Sequence, residues 1–305
     1  NTLQDSGSTR SYEIARRLVR AGHEVHIVTT ARSSDKKDGW VLSQEDGIHV
    51  HSVSIPYSNA MSYAARIRAF ARFALQATLK ASAIPADVVF ATSTPLTIAV
   101  PGVLAARRQR IPMVFEVRDL WPDIPIAIGA LQNPAARFLA KTLEQFAYRN
   151  AAQIIALSPG MKEGVARTGY PCERITVIPN SSDLELFDVP AAAGQAFRQM
   201  HDWLGSRPLV VYTGALGLIN GVPYLAQLAA ETRKLDQEIC FLIVGAGAEW
   251  EKTHNLAAQL GVLDRNFFMV PSLPKSEIPA VLSAADVATS VVIDLPILWA
   301  NSANK

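Results

Sequence analysis

The sequence predicts an α/β protein made of two doubly wound, Rossmann-like units, one over residues 1–187 and one over residues 188–305. Three observations predict it. A chain of 305 residues exceeds what one ordinary core organises and suits two domains of roughly 100 to 200 residues each. Short apolar runs of strand length alternate with helical stretches, the order of a parallel sheet covered by helices. Those runs are continuously apolar rather than alternating, as expected of strands buried on both faces.

Composition sets the outer limits. With 49% hydrophobic and 18% charged residues, the chain reads as an ordinary globular sequence, and no apolar run approaches the roughly 18 residues of a membrane span. Cys172 and Cys240 make no metal or redox spacing, so a reduced, cytoplasmic protein is expected. The segment ending at Glu185 carries 21 basic and 16 acidic residues, the remainder 8 and 11. That bias is too mild for a nucleic-acid partner, but it suits anionic phosphates or a lipid surface.

In order along the chain, Ser11–Arg20 is an amphipathic helix closed by Ala21 and Gly22, followed by a strand over Glu24–Thr29. The runs "ADVVFAT", "PMVFEV" and "AQIIAL" are further strands, each leading into a loop and a helix. After the polar segment Asp183–Pro190 a second series begins with "PLVVYTG", "ICFLIVG", "NFFMV" and "DVATSVVI". The chain opens on a loop where such a unit ordinarily opens on a strand, and "LPILWANSANK" stops in a loop. A strand before residue 1 and further helices after residue 305 are therefore expected. In doubly wound sheets the ligand lies outside the carboxyl ends of the strands, and two facing units hold it in a cleft between them.

The loops at those ends carry the chemistry. "FEVRDLWPD" crowds Glu116, Arg118, Asp119, Trp121 and Asp123 behind a core strand, where charges are costly unless paired or used. Glu116 and Arg118 share a strand face, so an ion pair is one reading; Asp119 lies beyond it, and Trp121 and Pro122 read as architecture. In "QDSGSTR", Gly7 precedes Ser8 or Thr9 as a helix N-cap, which favours an anion or simply caps a helix. "YTGALGLINGVPYL" places Gly214 and Gly217 directly after a strand and Gly221 before a helix, a phosphate cradle. "VGAGAEW" places Gly245 and Gly247 before a helix, like a truncated dinucleotide fingerprint. A nicotinamide would want an acid after the next strand, but Asp264 precedes it, so no such cofactor is expected. His23, His26, His49, His51 and His254 show no metal-ligand spacing and read as structural. No metal is expected.

Eight segments, in order, resemble the family 4 glycosyltransferases of the GT-B fold, especially the bacterial branch that builds capsule, O-antigen and exopolysaccharide. They are "SGSTRSYEIARRLVRAGHEVHIVTT", "FEVRDLWPD", "ALSPGMKEGV", "VIPNSSDLELF", "YTGALGLINGV", "LIVGAGAEW", "PSLPKSEIPAVLSAADV" and "NSANK", and they span essentially the whole chain. The resemblance implies that Gly7 and Ser8 approach the donor phosphates, and that Arg118 and Asp119 are the catalytic pair near acceptor and transferred sugar. It implies that Gly214, Gly217 and Asn220 form the donor phosphate loop with Gly245 and Gly247 beside it. Leu273 matches the position whose backbone meets the nucleobase, and Asn304 with Lys305 begins the donor-sugar region.

The chemistry so implied is retaining transfer from a nucleotide-diphosphate sugar, UDP-linked by expectation, with no cofactor besides that donor. Helix N-termini and protein cations stabilise the leaving group, and the leaving phosphate helps to take the acceptor proton. The carboxylate pair of glycoside hydrolases is not part of it. The chain departs from the family in offering Leu218 and Asn220 where an Arg and a Lys often stand, in Ser181-Ser182 where Gly is usual, and in showing no E-x7-E pair. The implied acceptor is a lipid-linked saccharide at the inner face of the cytoplasmic membrane. The stretch 60–80 sets Tyr63, Ile67, Phe70 and Ala74 on one helical face and Arg68 and Arg72 on another. It reads either as an anionic-membrane contact or as a helix packed on its own sheet. A UDP-sugar 2-epimerase of the same architecture and an inactive sugar-nucleotide binder are the alternative functions. Residues 1–305 alone are expected to lack transferase activity.

Overall fold

The structure, a computed structural model, describes residues 9–31, 39–56, 61–93 and 95–302, with the side chain of Tyr63 outside the description. It divides into two compact units. One holds Ser11–Pro179 and Trp299–Ser302, the other Asn180–Leu298 with Thr9 and Arg10.

The first unit begins with helix α1 (Arg10–Arg20). Tyr12, Ala15 and Arg16 are buried, and Glu13 pairs with Arg16 at 2.7 Å and with Arg17 one residue further on. The helix stops at Gly22, whose φ of 90° only glycine adopts without strain, with Gly22 N donating to Val19 O and His23 N to Leu18 O. Strands β1 (His26–Thr30), β2 (Trp40–Glu45) and β3 (Ile48–Val53) form a sheet ordered β1-β3-β2, with β1 parallel and β2 antiparallel to β3. This hairpin is absent from the sequence reading. Its cause is Asp46-Gly47, both at positive φ (49° and 80°), a two-residue turn whose twist matches the flanking strands.

Helix α2 (Tyr63–Ala83) leads to β4 (Val89–Thr92), α3 (Ala99–Gln109), β5 (Met113–Val117), α4 (Asp123–Ala127), α5 (Pro134–Asn150), β6 (Gln153–Ala156), α6 (Pro159–Ala166) and β7 (Ile175–Val177). The four strands form an all-parallel sheet in the order β4-β5-β6-β7. Met113, Phe115 and Ile154 on its strands and Met161 on α6 are fully or nearly fully buried. Burying each such side chain contributes about 1.5–3 kcal/mol before entropy is counted.

The second unit runs through α7 (Leu184–Phe187), α8 (Ala191–Gln199), β8 (Leu209–Thr213), α9 (Pro223–Leu235), β9 (Cys240–Val244), α10 (Trp250–Gln259), β10 (Phe267–Val270), α11 (Ile278–Ser283) and β11 (Val287–Ala288). Its parallel sheet is ordered β10-β9-β8-β11. Strand alternation divides β9 between two cores. Phe241 and Ile243 join Tyr212, Leu225 and Phe267 on one face, while Cys240, Leu242 and Val244 join Leu209, Val211 and Val281 on the other. That is why "ICFLIVG" reads as one unbroken apolar run. Of "DVATSVVI", only Val287 and Ala288 pair as strand; the chain then crosses to the β8 loop, where Ile293 N donates to Ile219 O at 3.0 Å. Among the described residues no helix is long and apolar enough to cross a membrane.

Candidate active site

In the second unit the glycine-bearing loops after β8 and β9 lock into each other. Gly214 N donates to Val244 O, Leu216 N to Ala246 O and Glu249 N to Leu216 O, each at 2.9 Å. A Cβ on Gly245 would lie 1.9 Å from the carbonyl oxygen of Gly214, and one on Gly247 would lie 2.4 Å from that of Leu216. These glycines let backbone approach backbone. The structure shows Gly245 and Gly247 supporting the β8 loop, a packing task beside the donor-binding one expected of them. Asn220 has a similar internal task, since its Oδ1 accepts from Gly217 N at 3.3 Å and its own N donates to Gly217 O at 3.0 Å. Gly214, Gly217 and Asn220 therefore belong to one closed turn at the carboxyl end of β8, held from below by the β9 loop.

Leu273, in the loop after β10, packs partly against the Leu242 and Phe268 side of the core. Two residues on, Lys275 Nζ donates to Thr9 Oγ1 at 2.6 Å. Arg10, next to Thr9, donates from Nη1 to Asn180 Oδ1 at 3.3 Å. Thr9 and Arg10 are thereby tied to Lys275 and Asn180 within the second unit, and Lys275 is a cation at this end of the sheet that the sequence reading missed. Its signal was present in "PSLPKSEI", a lysine two residues after Leu273. Gly7 and Ser8, and Asn304 and Lys305, lie outside the described residues.

In the first unit Glu116 is fully buried at the carboxyl end of β5 and accepts a hydrogen bond from Thr92 Oγ1 at 2.7 Å, its register partner on β4. Ser93 donates from its backbone N to Glu116 O at 2.8 Å and accepts on Oγ from Arg118 N at 2.9 Å. The β4 end thus clamps the turn that carries Arg118 and Asp119, both half-buried. Leu120 is buried, and a Cβ on Gly164 of α6 would lie 2.7 Å from its Cδ1. The Trp121–Pro122 bond is cis. Arg118 and Asp119 come together beyond the strand with their backbone fixed on both sides, while Leu120 and Pro122 anchor the loop in the core.

Behind that loop, Asp123, Lys141, Glu144, Gly164 and Arg167 line a cavity of about 270 Å³. Glu144 is 7% exposed. Burial, with the nearby Asp123 charge, pushes its carboxyl from the ordinary 4.5 up to about 7, against the hydrogen bond from Tyr148 and the charge of Lys141. Elsewhere in the unit, Glu24, His26 and His49 bring three ligand atoms within 4.8 Å of one another. Sequence spacing hid this grouping because the residues sit on neighbouring strands.

Comparison with known proteins names the family. Residues 7–181 match the family described as Glycosyl transferase 4-like domain, and residues 195–291 match Glycosyl transferases group 1. The chain belongs to the family 4 glycosyltransferases of the GT-B type. It is 28% identical over 299 residues to a D-inositol 3-phosphate glycosyltransferase of Xylanimonas cellulosilytica, covering 93% of this chain and 69% of that protein. It is 24% identical over 197 residues to the putative colanic acid biosynthesis glycosyl transferase WcaI of Escherichia coli K12, covering 63% of this chain and 47% of that protein. The chain thus spans about half to just over two thirds of the length of these relatives. The crystal structure of Anabaena HepE in complex with UDP-glucose shares the fold, with a TM-score of 0.61 and 18% identity over 81% of this chain and 61% of that one.

Proposed function

We propose that the protein is a retaining glycosyltransferase that moves a sugar from a UDP-linked donor to a lipid-linked saccharide in bacterial surface polysaccharide synthesis. The observation that carries the reading is the closed Gly214–Asn220 turn at the carboxyl end of β8, braced by Gly245 and Gly247. A glycine-bearing turn held rigidly outside the carboxyl end of a parallel strand stands where doubly wound sheets take their ligands, and Gly214 and Gly217 present backbone there without a side chain. Lys275, joined to Thr9, supplies a cation on the same sheet end, which offsets the Leu218 and Asn220 found where the family often has Arg and Lys. The UDP-glucose complex of HepE supports UDP as the nucleotide, and the likeness to WcaI, described as a putative colanic acid biosynthesis glycosyl transferase, supports the biosynthetic role.

The proposed chemistry assigns Asp119 and Arg118 to the acceptor and the transferred sugar, while the donor phosphate leaves from the face the acceptor approaches and receives its proton. Fixed dipoles and cations lower the barrier by stabilising the charge that develops on the leaving diphosphate. Tyr63's side chain lies outside the described residues, and of the other residues placed on the apolar face of α2, Ile67 is exposed; Phe70 and Ala74 are half-buried and Ala77 is buried instead. Ile67, Leu75 and Leu79 stand outward with Arg68 and Arg72. That mixed face supports contact with an anionic bilayer carrying the acceptor.

The test presents the full-length protein with a panel of UDP-sugars, with and without lipid-linked acceptors. Release of UDP only when acceptor is present supports transfer. Conversion of the nucleotide sugar without acceptor would identify a 2-epimerase, and binding without turnover a sugar-nucleotide binder.

A further inference from the structure

One face of the β1-β3-β2 sheet carries a side-chain cluster outside the residues assigned above to glycosyl transfer. His26 on β1 is the register partner of His49 on β3, and His51 follows two residues later, so the three imidazoles share that face. The Oε1 atom of Glu24 lies 2.9 Å from His26 Nε2 and 4.0 Å from His49 Nε2. The His26 and His49 rings are stacked with centroids 4.7 Å apart, and both present Nε2 toward the same carboxylate. On its other edge His26 Nδ1 lies 3.0 Å from Nε2 of His51, which is only 6% exposed.

We propose that Glu24, His26 and His49 form a binding site for a first-row divalent transition-metal ion of the Zn²⁺ class, with His51 fixing the orientation of the His26 ring.

Two imidazole nitrogens and one carboxylate oxygen form the borderline donor set of Zn²⁺, Co²⁺ and Ni²⁺, whereas Mg²⁺ and Ca²⁺ take oxygen ligands. The side chains of Glu24, His26 and His49 are 74%, 26% and 34% exposed, so a further coordination position opens to water. With metal bonds of about 2.0–2.2 Å, tetrahedral ligand atoms stand roughly 3.3 Å apart. The observed 2.9 and 4.0 Å bracket that separation and all three ligand atoms lie within 4.8 Å of one another, so the adjustment falls on the exposed Glu24 side chain and on rotation of the imidazole rings, while the β1–β3 ladder holds the histidine backbones. Coordination through His26 Nε2 puts the ring proton on Nδ1, from which it is donated to His51 Nε2, the outer partner that ligating histidines ordinarily have. A hydrogen bond between Glu24 and His26 accounts for those two residues alone; it leaves unexplained why His49 turns Nε2 to the same oxygen and why a third imidazole stands behind. The site lies on a different sheet from Arg118 and Asp119, and the ion would tie the start of β1 to β3.

The experiment titrates untagged, chelator-stripped full-length protein with ZnCl₂ by calorimetry and with CoCl₂ by visible absorption. The expected result is one saturable ion per chain, Co²⁺ developing the d–d bands of a four- or five-coordinate site, and no competition from Mg²⁺. Glu24→Gln should weaken binding at least tenfold, His51→Ala by about 10- to 100-fold, and His26→Ala with His49→Ala should abolish it; His254→Ala should change nothing. Circular dichroism verifies each fold, and Glu24→Gln, an exposed change, decides the matter if the histidine variants misfold. No saturable Zn²⁺ binding, or binding unaltered by Glu24→Gln, overturns the proposal.

Discussion

Asp119 and Arg118 sit on a turn whose backbone is clamped by Ser93 and anchored by Leu120, so changing either side chain should alter chemistry before it alters folding. Asp119→Asn is expected to cut transfer by about 10²-fold or more, the scale of losing one positioned electrostatic group, with an unchanged melting temperature; near-normal turnover would remove Asp119 from the site. Gly245→Ala is the opposite case. Its Cβ would overlap the Gly214 carbonyl at 1.9 Å, so a loss of about 1–3 kcal/mol should appear together with weaker UDP binding by calorimetry. Glu144 gives a pH signature. Its folded pKa of about 7 lies above the ordinary 4.5, so the folded state holds the proton more tightly than the unfolded chain. Its contribution is complete below about pH 4.5 and is lost as pH rises to about 7, on the order of 1–3 kcal/mol. Chemical denaturation at several pH values should show that decline, and Glu144→Gln should flatten it. The place of Arg118 and Asp119 just beyond β5 was legible in the sequence because charges follow an apolar strand. Glu144 was not, because a lone acid on a helix shows nothing of its burial until α4, α5 and α6 pack around it. The packing of Gly245 and Gly247 against the β8 loop was hidden likewise, because a glycine next to a strand does not say which backbone comes close.

At the scale of elements, long buried strands announced themselves by continuous apolarity, and β5, β8 and β9 lie where those runs stand. The β2–β3 hairpin was missed although Asp46-Gly47 is a strong turn pair, because β2 is exposed over Leu42, Ser43 and Gln44 and neither strand is a continuous apolar run. The run "DVATSVVI" misled in the other direction. Its apolar residues serve a crossing toward Gly221 rather than a full strand, a tertiary demand that no periodicity records. Helix α2 carries the prediction proper to this scale. With Ile67, Leu75 and Leu79 exposed beside Arg68 and Arg72, the full-length protein should co-sediment with vesicles containing anionic lipid, and Arg68→Glu with Arg72→Glu should release it. Equal sedimentation of variant and parent would leave α2 as a helix packed on its own unit with a solvated basic face.

For the molecule as a whole, chain length and the alternation of elements were enough to read two α/β units, since each follows from how much apolar surface a core can bury. What the sequence did not yield is which stretches cross over. Thr9 and Arg10 belong with the second unit and Trp299–Ser302 with the first, where Ser158 Oγ donates to the Ala300 carbonyl and the Cβ of Gly160 would meet that of Ala300 at 2.6 Å. Such exchanges depend on packing between residues more than a hundred positions apart. The central claim is sugar transfer with retention from a UDP-linked donor. Its most direct test is proton NMR of the product made by the full-length protein from an α-linked UDP-sugar and a lipid-linked acceptor. The account predicts an α-linked product with one UDP released per linkage formed; a β-linked product, or an altered nucleotide sugar formed without acceptor, would contradict it.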